Sequence, residues 1–187
     1  TFEEPGHYDV RVDAEDGIGT ISATVTVHVR AVPGEIVLAV HDRQGRSPIE
    51  AIRIYVNGTE AYGELLEPGH RVRLTGYGAN PIYTHCAYNI TITHWVFGKA
   101  LWSGVVTFPE GSTVVEVDVL VDVYSWKFQN QGETPVWVAV ERDGARWSRW
   151  VYPWEVVEFW LFPGTYTLRI NYTEVSGNYF IIMNGTY

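Results

Sequence analysis

With 187 residues, 46% of them hydrophobic, the chain holds enough apolar material for one large or two small cores, and its composition is not that of a disordered protein. A formal charge of −9, with Lys and Arg scattered singly, argues against a nucleic acid or an anionic membrane surface as partner, since both need a clustered basic patch. No apolar run approaches the roughly 18 residues of a bilayer-crossing helix, and Cys86, the single cysteine, can form no internal disulfide.

The chain then reads as strands almost from end to end. Predicted strands at 7–13 and 20–30 form the first pair, and ISATVTVHV places Ile21, Ala23, Val25, Val27 and Val29 on one face with Ser22, Thr24, Thr26 and His28 on the other. Between them DAEDGIG gathers Asp13, Glu15 and Asp16, oxygen donors that would suit a calcium ion, although no complete ligand series is present and a solvated turn is the simpler account. AVPGE at 31–35 reads as a linker. Strands follow near 35–41, 50–57, 59–65, 70–75, 84–96, 100–107 and 113–123, the last with Val115, Val117, Val119, Val121 and Val123 on one face. A junction falls near Tyr124 and Ser125, and further strands are predicted at 126–130, 135–142, 146–152, 155–161, 165–174 and 178–183. Turn residues every 8 to about 12 positions and no helical period define an all-β chain of sandwich type. The expected division is a terminal hairpin at 1–32, a β-sandwich at 33–124 and a smaller one at 125–187.

One phrase is written twice, PGHYDVRV at 5–12 and PGTYTLRI at 163–170, with looser echoes at 67–74 and 109–117. In both full copies a Tyr two residues past the Gly precedes alternating apolar positions. This suits a tyrosine corner, in which the ring enters the core and the hydroxyl bonds nearby backbone. TFEEPGHYDVRVDAEDGIGTISATVTVHV, with Phe2, Pro5, Gly6, Tyr8, Val10, Val12, Asp16, Gly19 and the run Thr24 to Val29 in order, resembles the last two strands of a PKD (polycystic kidney disease) domain. The family's Trp-Asp-Phe-Gly-Asp-Gly-like run is absent. The resemblance implies an immunoglobulin-like sandwich, and the likeness of PGTYTLRI to the closing strands of small surface modules implies tandem sandwiches of that kind. PKD-like modules often accompany secreted polysaccharide- or protein-degrading enzymes.

Two strands alone do not hold a fold in water, so the hairpin must find a sheet. Three sources are open: upstream sequence of a longer protein, the 125–187 sandwich of the same chain, or that of a neighbouring subunit through strand complementation. The last is favoured, on the expectation that the chain is a processed form beginning at Thr1.

Asparagine points to the compartment. Asn57, Asn89, Asn171 and Asn184 each begin an Asn-x-Thr triplet, whereas seven Asn and 23 Ser or Thr in 187 residues should give about 0.9 such triplets by chance. Asn89 and Asn171 fall on polar strand faces, and Asn57 and Asn184 precede Gly in hairpin-type turns. The expectation is an N-glycosylated extracellular or cell-surface protein.

No phosphate loop, HExxH, CxxC or GxSxG motif occurs. His85 and Cys86 with His94 could suggest a Cys/His nucleophile or a metal site, but His85 and Cys86 are neighbours on a strand and point to opposite faces, so a lone core cysteine is the simpler account. Trp150, Tyr152 and Trp154 recur at alternate positions, a row suited to sugar stacking or subunit contact if Pro153 lets the strand continue. The expected function is a non-enzymatic structural subunit of a surface filament or layer, without cofactor; the alternative is a carbohydrate-binding or accessory module of a secreted hydrolase.

Overall fold

The computed structural model describes residues 6–15, 17–66, 70–171, 173–174 and 179–180. The chain is all-β: apart from one 3-10 turn at Ile49–Ala51, every described regular element is a strand. In order these are β1 (Gly6–Glu15), β2 (Thr20–Val29), β3 (Glu35–His41), β4 (Ile52–Val56), β5 (Thr59–Ala61), β6 (Glu64–Leu66), β7 (Arg71–Leu74), β8 (Gly76–Tyr77), β9 (Asn80–Pro81), β10 (Ala87–His94), β11 (Ala100–Thr107) and β12 (Val114–Leu120). There follow β13 (Tyr124–Gln129), β14 (Val136–Arg142), β15 (Ala145–Val151), β16 (Val156–Leu161), β17 (Thr165–Ile170), β18 (Thr173–Glu174) and β19 (Tyr179–Phe180). Among the described residues no helix is long and apolar enough to cross a membrane.

β3 to β12 build two four-stranded sheets, ordered β11-β10-β4-β5 and β12-β3-β7-β6, the second with β12 parallel to β3. Their inner faces follow the period-two pattern: Tyr88, Ile90 and Ile92 of β10 and Ile36, Leu38 and Val40 of β3 are buried together with Val56, Leu74 and Ile82. Each such side chain is worth about 1.5–3 kcal/mol when removed from water, so a one-residue slip of register would forfeit the whole face. β13 to β19 form a second unit, a two-stranded sheet β13-β16 facing the sheet β15-β14-β17-β18, with Val138, Val140, Trp147, Phe159 and Leu168 inside.

The two units meet through aromatic rings. His94, at the end of β10, is fully buried; its Nε2 lies 2.7 Å from the carbonyl oxygen of Trp160 in β16, and its ring sits 4.8 Å from Phe97, 5.5 Å from Trp147 and 5.6 Å from Phe162. Nearby, the carboxylate of buried Asp42 accepts from Arg46 Nη2 at 2.8 Å and Nε at 3.0 Å, and the same guanidinium lies 5.0 Å over the Trp160 ring. The core is therefore continuous from one unit to the other.

The structure corrects several expectations. The predicted strand 59–65 is two strands in different sheets, because the chain crosses from one sheet to the other at Tyr62 and Gly63. Only glycine fits there: a Cβ on Gly63 would collide with the Val72 side chain and stand 2.9 Å from the Arg73 carbonyl oxygen. AVPGE is not a free linker, since the Gly34 N–H donates to the Ile82 carbonyl at 2.9 Å, the Thr84 N–H donates to the Val32 carbonyl at 3.0 Å, and a Cβ on Gly34 would meet the Phe108 ring at 2.7 Å.

The two copies of the repeated phrase also differ. Tyr166 is a tyrosine corner, 3% exposed, with its hydroxyl donating to the Phe162 carbonyl at 2.8 Å. Tyr8 is only half-buried, because among the described residues no second sheet joins or faces the hairpin. A further corner stands where the pattern was not sought: buried Tyr88 donates to the Tyr83 carbonyl at 3.1 Å and accepts the Tyr83 N–H at 2.6 Å, and burial pushes its phenol up to about 12.

Candidate functional site

The N-terminal hairpin divides cleanly into two faces. β1 and β2 pair over ten positions, from Gly6 opposite Val29 to Glu15 opposite Thr20, and among the described residues neither strand joins another sheet. One face carries Tyr8, Val10, Val12 and Ala14 opposite Val27, Val25, Ala23 and Ile21. The other is polar and bonded within itself: Thr26 Oγ1 donates to Asp9 at 2.7 Å, Arg11 donates to Asp13 at 2.9 Å and to Ser22 at 3.0 Å, Ser22 donates to Asp13, and the His7 and His28 rings meet edge to face at 4.3 Å. The apolar face lies open. Ile21 is 74% exposed and Val12 and Val25 are each 55% exposed, Ala14 and Ala23 are exposed, and Tyr8, Val10, Val27 and Val29 toward the base are half-buried.

The acidic turn offers no ready cation site. Asp13 is engaged by Arg11 and Ser22, Glu15 accepts from Thr20 at 3.5 Å, and Asp16 lies outside the described residues. No group of three or more His, Cys, Asp or Glu that could hold a metal ion occurs among the described residues.

Of the sequon residues, Asn57, Asn89 and Asn171 are exposed, and Asn184 lies outside the described residues. Asn57 and Asn171 share one local design. Each has a positive φ, 50° and 49°, each gives its N–H to a neighbouring strand (Asn57 to the Asn89 carbonyl at 2.7 Å, Asn171 to the Trp137 carbonyl at 2.8 Å), and each takes that residue's N–H on its own side-chain Oδ1, at 2.9 Å and 3.0 Å. The side-chain amide thus extends the ladder by one rung at a left-handed residue, a combination that selects Asn on structural grounds alone. The Oδ1 is consumed while the Nδ2, the atom a glycan would modify, makes only a 3.5 Å contact with the Tyr77 hydroxyl in Asn57.

The aromatic row bends. β15 ends at Val151, and Tyr152-Pro153-Trp154-Glu155 is a type II turn closed by the Glu155 N–H on the Tyr152 carbonyl at 3.0 Å. Trp150, Tyr152 and Trp154 are 52%, 61% and 67% exposed, so the three rings stay at the surface without lying along one strand. Trp154 holds a φ of +67° at the position where such turns take Gly or Asn. Asn130, 5% exposed, fixes this turn: its carbonyl accepts the Trp154 N–H at 2.7 Å and its N–H donates to the Glu155 carbonyl at 3.1 Å. Its side-chain Nδ2 donates to the carbonyls of Thr134 at 2.8 Å and Val151 at 3.0 Å, and its Oδ1 accepts the Gly132 N–H at 2.9 Å. Sequence reading passed over Asn130, the last residue of the predicted strand 126–130, because nothing local distinguishes a buried clamp from an ordinary asparagine at a strand end.

The remaining polar candidates are spoken for. The His85 ring stacks on Tyr83 at 5.8 Å, and His94 is held at the junction of the two units with its pKa lowered by burial. A cleft of about 440 Å³ beside β5 is rimmed by Tyr62 and Trp95, but its charges are paired, Arg53 with Glu60 at 3.6 Å and Glu50 with Arg149 at 3.9 Å.

No protein-family model matches the chain, and no curated protein does. Among solved structures, the Bacillus anthracis TIE protein aligns with 88% of this chain and 35% of its own at 7% identity and a TM-score of 0.31. The chain thus spans about a third of that structure's length, and a TM-score this low does not establish a common fold.

Proposed function

We propose that the chain is a non-enzymatic structural component of an extracellular surface assembly, a glycosylated unit that joins its neighbour through the β1–β2 hairpin. The open apolar face of that hairpin carries the reading. Leaving Val12, Ile21 and Val25 in water forfeits about 1.5–3 kcal/mol for each, and an isolated two-stranded hairpin is marginal at best. The polar face is already satisfied internally, so the surface left to cover is the apolar one. The PKD-like resemblance accords with this, since the last two strands of such a domain turn their apolar side to a facing sheet.

The proposed receiver is the second unit of the next copy, whose β13-β16 sheet has two strands against five in the sheet it faces. Two added strands would bring the thinner layer to four. A contact of that kind is head-to-tail and propagates into a filament when it does not close. The exposed sequons at Asn57, Asn89 and Asn171 support placing the assembly outside the cell.

Sedimentation velocity on three proteins tests the proposal. The full chain is expected to associate with rising concentration, while a 1–31 deletion and Val25→Glu sediment as monomers, and a synthetic 6–30 peptide raises the melting temperature of the truncated form. An unchanged sedimentation profile in the deletion, or a full chain that stays monomeric throughout, overturns it.

A further inference from the structure

We propose that the turn after β15, with Trp150, Tyr152 and Trp154, is a stacking site for a neutral saccharide chain, independent of the hairpin and its assembly. The argument begins from a local conflict. A type II turn needs a positive φ at its third residue, which Gly supplies without strain, and this chain places there its bulkiest side chain, two-thirds exposed, so that packing does not offset the strain. The fold would be served better by glycine. Strain kept at a surface position, together with three exposed rings, marks a residue retained for what it touches.

The support is rigid. The backbone N–H groups of Tyr152, Trp154 and Glu155 are all bonded, to the Glu155 carboxylate at 2.7 Å, the Asn130 carbonyl and the Tyr152 carbonyl, and Pro153 has none. Asn130 also holds the loop at 131–134, through the Gly132 N–H and the Thr134 carbonyl, so this loop and the turn that carries the rings share one clamp. Exposed flat π-faces on a rigid turn match a sugar ring, which offers C–H groups to stack. The charges argue for a neutral ligand: Arg149 pairs with Glu50, Arg146 pairs with Glu141, and the Glu155 carboxylate is committed to the turn, so among the described residues of this region no cluster of unpaired cations awaits a phosphate or uronate.

The test is affinity electrophoresis of the full chain in native gels containing mixed-linkage β-glucan, galactomannan or xylan, with polygalacturonate as the acidic comparison. At least one neutral polymer is expected to retard the protein. Trp154→Gly and Trp150→Ala should each weaken that retardation about tenfold, the loss of one stacking contact, while Trp154→Gly leaves the melting temperature unchanged or raises it by about 2–4 °C. Trp154→Tyr, which keeps a ring, should retain most of the effect, and deletion of residues 1–31 should not alter it. Absence of retardation by all three neutral polymers, retardation by polygalacturonate alone, or a Trp154→Gly variant that binds normally overturns the proposal. So does a Trp154→Gly variant that loses self-association instead, since the rings would then be a contact between copies.

Discussion

The junction between the two units rests on an uncharged histidine, and this makes stability pH-dependent in a calculable direction. His94 Nδ1 is reached by the backbone N–H groups of Val96 at 3.2 Å and Phe97 at 3.4 Å, so the ring's proton belongs on Nε2, which donates to the Trp160 carbonyl at 2.7 Å. A second proton on Nδ1 would face two donors in a fully buried site among rings. Burial accordingly lowers the folded-state pKa below 6.5, its value in the unfolded chain. Since the unfolded state binds the proton more readily, the contribution of neutral His94 is fully present above pH 6.5 and is lost as pH falls from there through the folded pKa, with a limiting slope of about 1.4 kcal/mol per pH unit. His94→Gln, which does not titrate, should flatten the dependence of urea stability on pH between 7 and 5 relative to wild type. His94→Ala should cost about 3–5 kcal/mol at pH 7, since it removes a buried ring and leaves the Trp160 carbonyl without its donor. Urea unfolding followed by tryptophan fluorescence is suited to both, because Trp147 and Trp160 lie at the junction. Equal pH slopes in wild type and His94→Gln would refute the reasoning, as would an imidazole that titrates by NMR at its ordinary value.

The tyrosine corners should rank by their bonding. Tyr166→Phe removes one hydroxyl bond and should cost about 0.5–1.5 kcal/mol, whereas Tyr88→Phe strips both the N–H and the carbonyl of Tyr83 of their partner and should cost about 1–3 kcal/mol; chemical denaturation checks both, and the reverse order would count against these geometries. For the sequons, protein isolated from its source should lose mass on chemical deglycosylation. Because Asn57 and Asn171 also complete backbone ladders, their glycans are better removed by Thr59→Val and Thr173→Val, each expected to lower the intact mass by one glycan; an unmodified wild-type mass removes the support for glycosylation.

Much of the architecture was legible in the order of residues because it depends on period two. An alternating strand has one face to bury, and β2, β3, β10 and β12 follow their predicted spans closely, since any other register would expose several branched side chains. The Tyr166 corner was legible too, because Pro-Gly followed by Tyr at that spacing is a local instruction. The aromatic residues of the candidate site could be named, but their arrangement could not, as Pro153 turns the chain where a continued strand was expected.

What only the tertiary structure decided is whatever depends on a partner distant in sequence. The same corner phrase buries Tyr166 and leaves Tyr8 half-open, because burial requires an opposing sheet and, among the described residues, one faces Tyr166 and none faces Tyr8. The run 59–65 alternates like a single strand, yet Gly63 sends its halves to different sheets where contact with Val72 and the Arg73 carbonyl excludes a side chain. His94 read with His85 and Cys86 as a weak nucleophile or metal candidate, and Asn130 as the last residue of a predicted strand; their roles come from Trp160, 66 residues away, and from Val151, 21 residues away. Local order sets which face of each strand is apolar, and only the packing of whole sheets determines what that face meets.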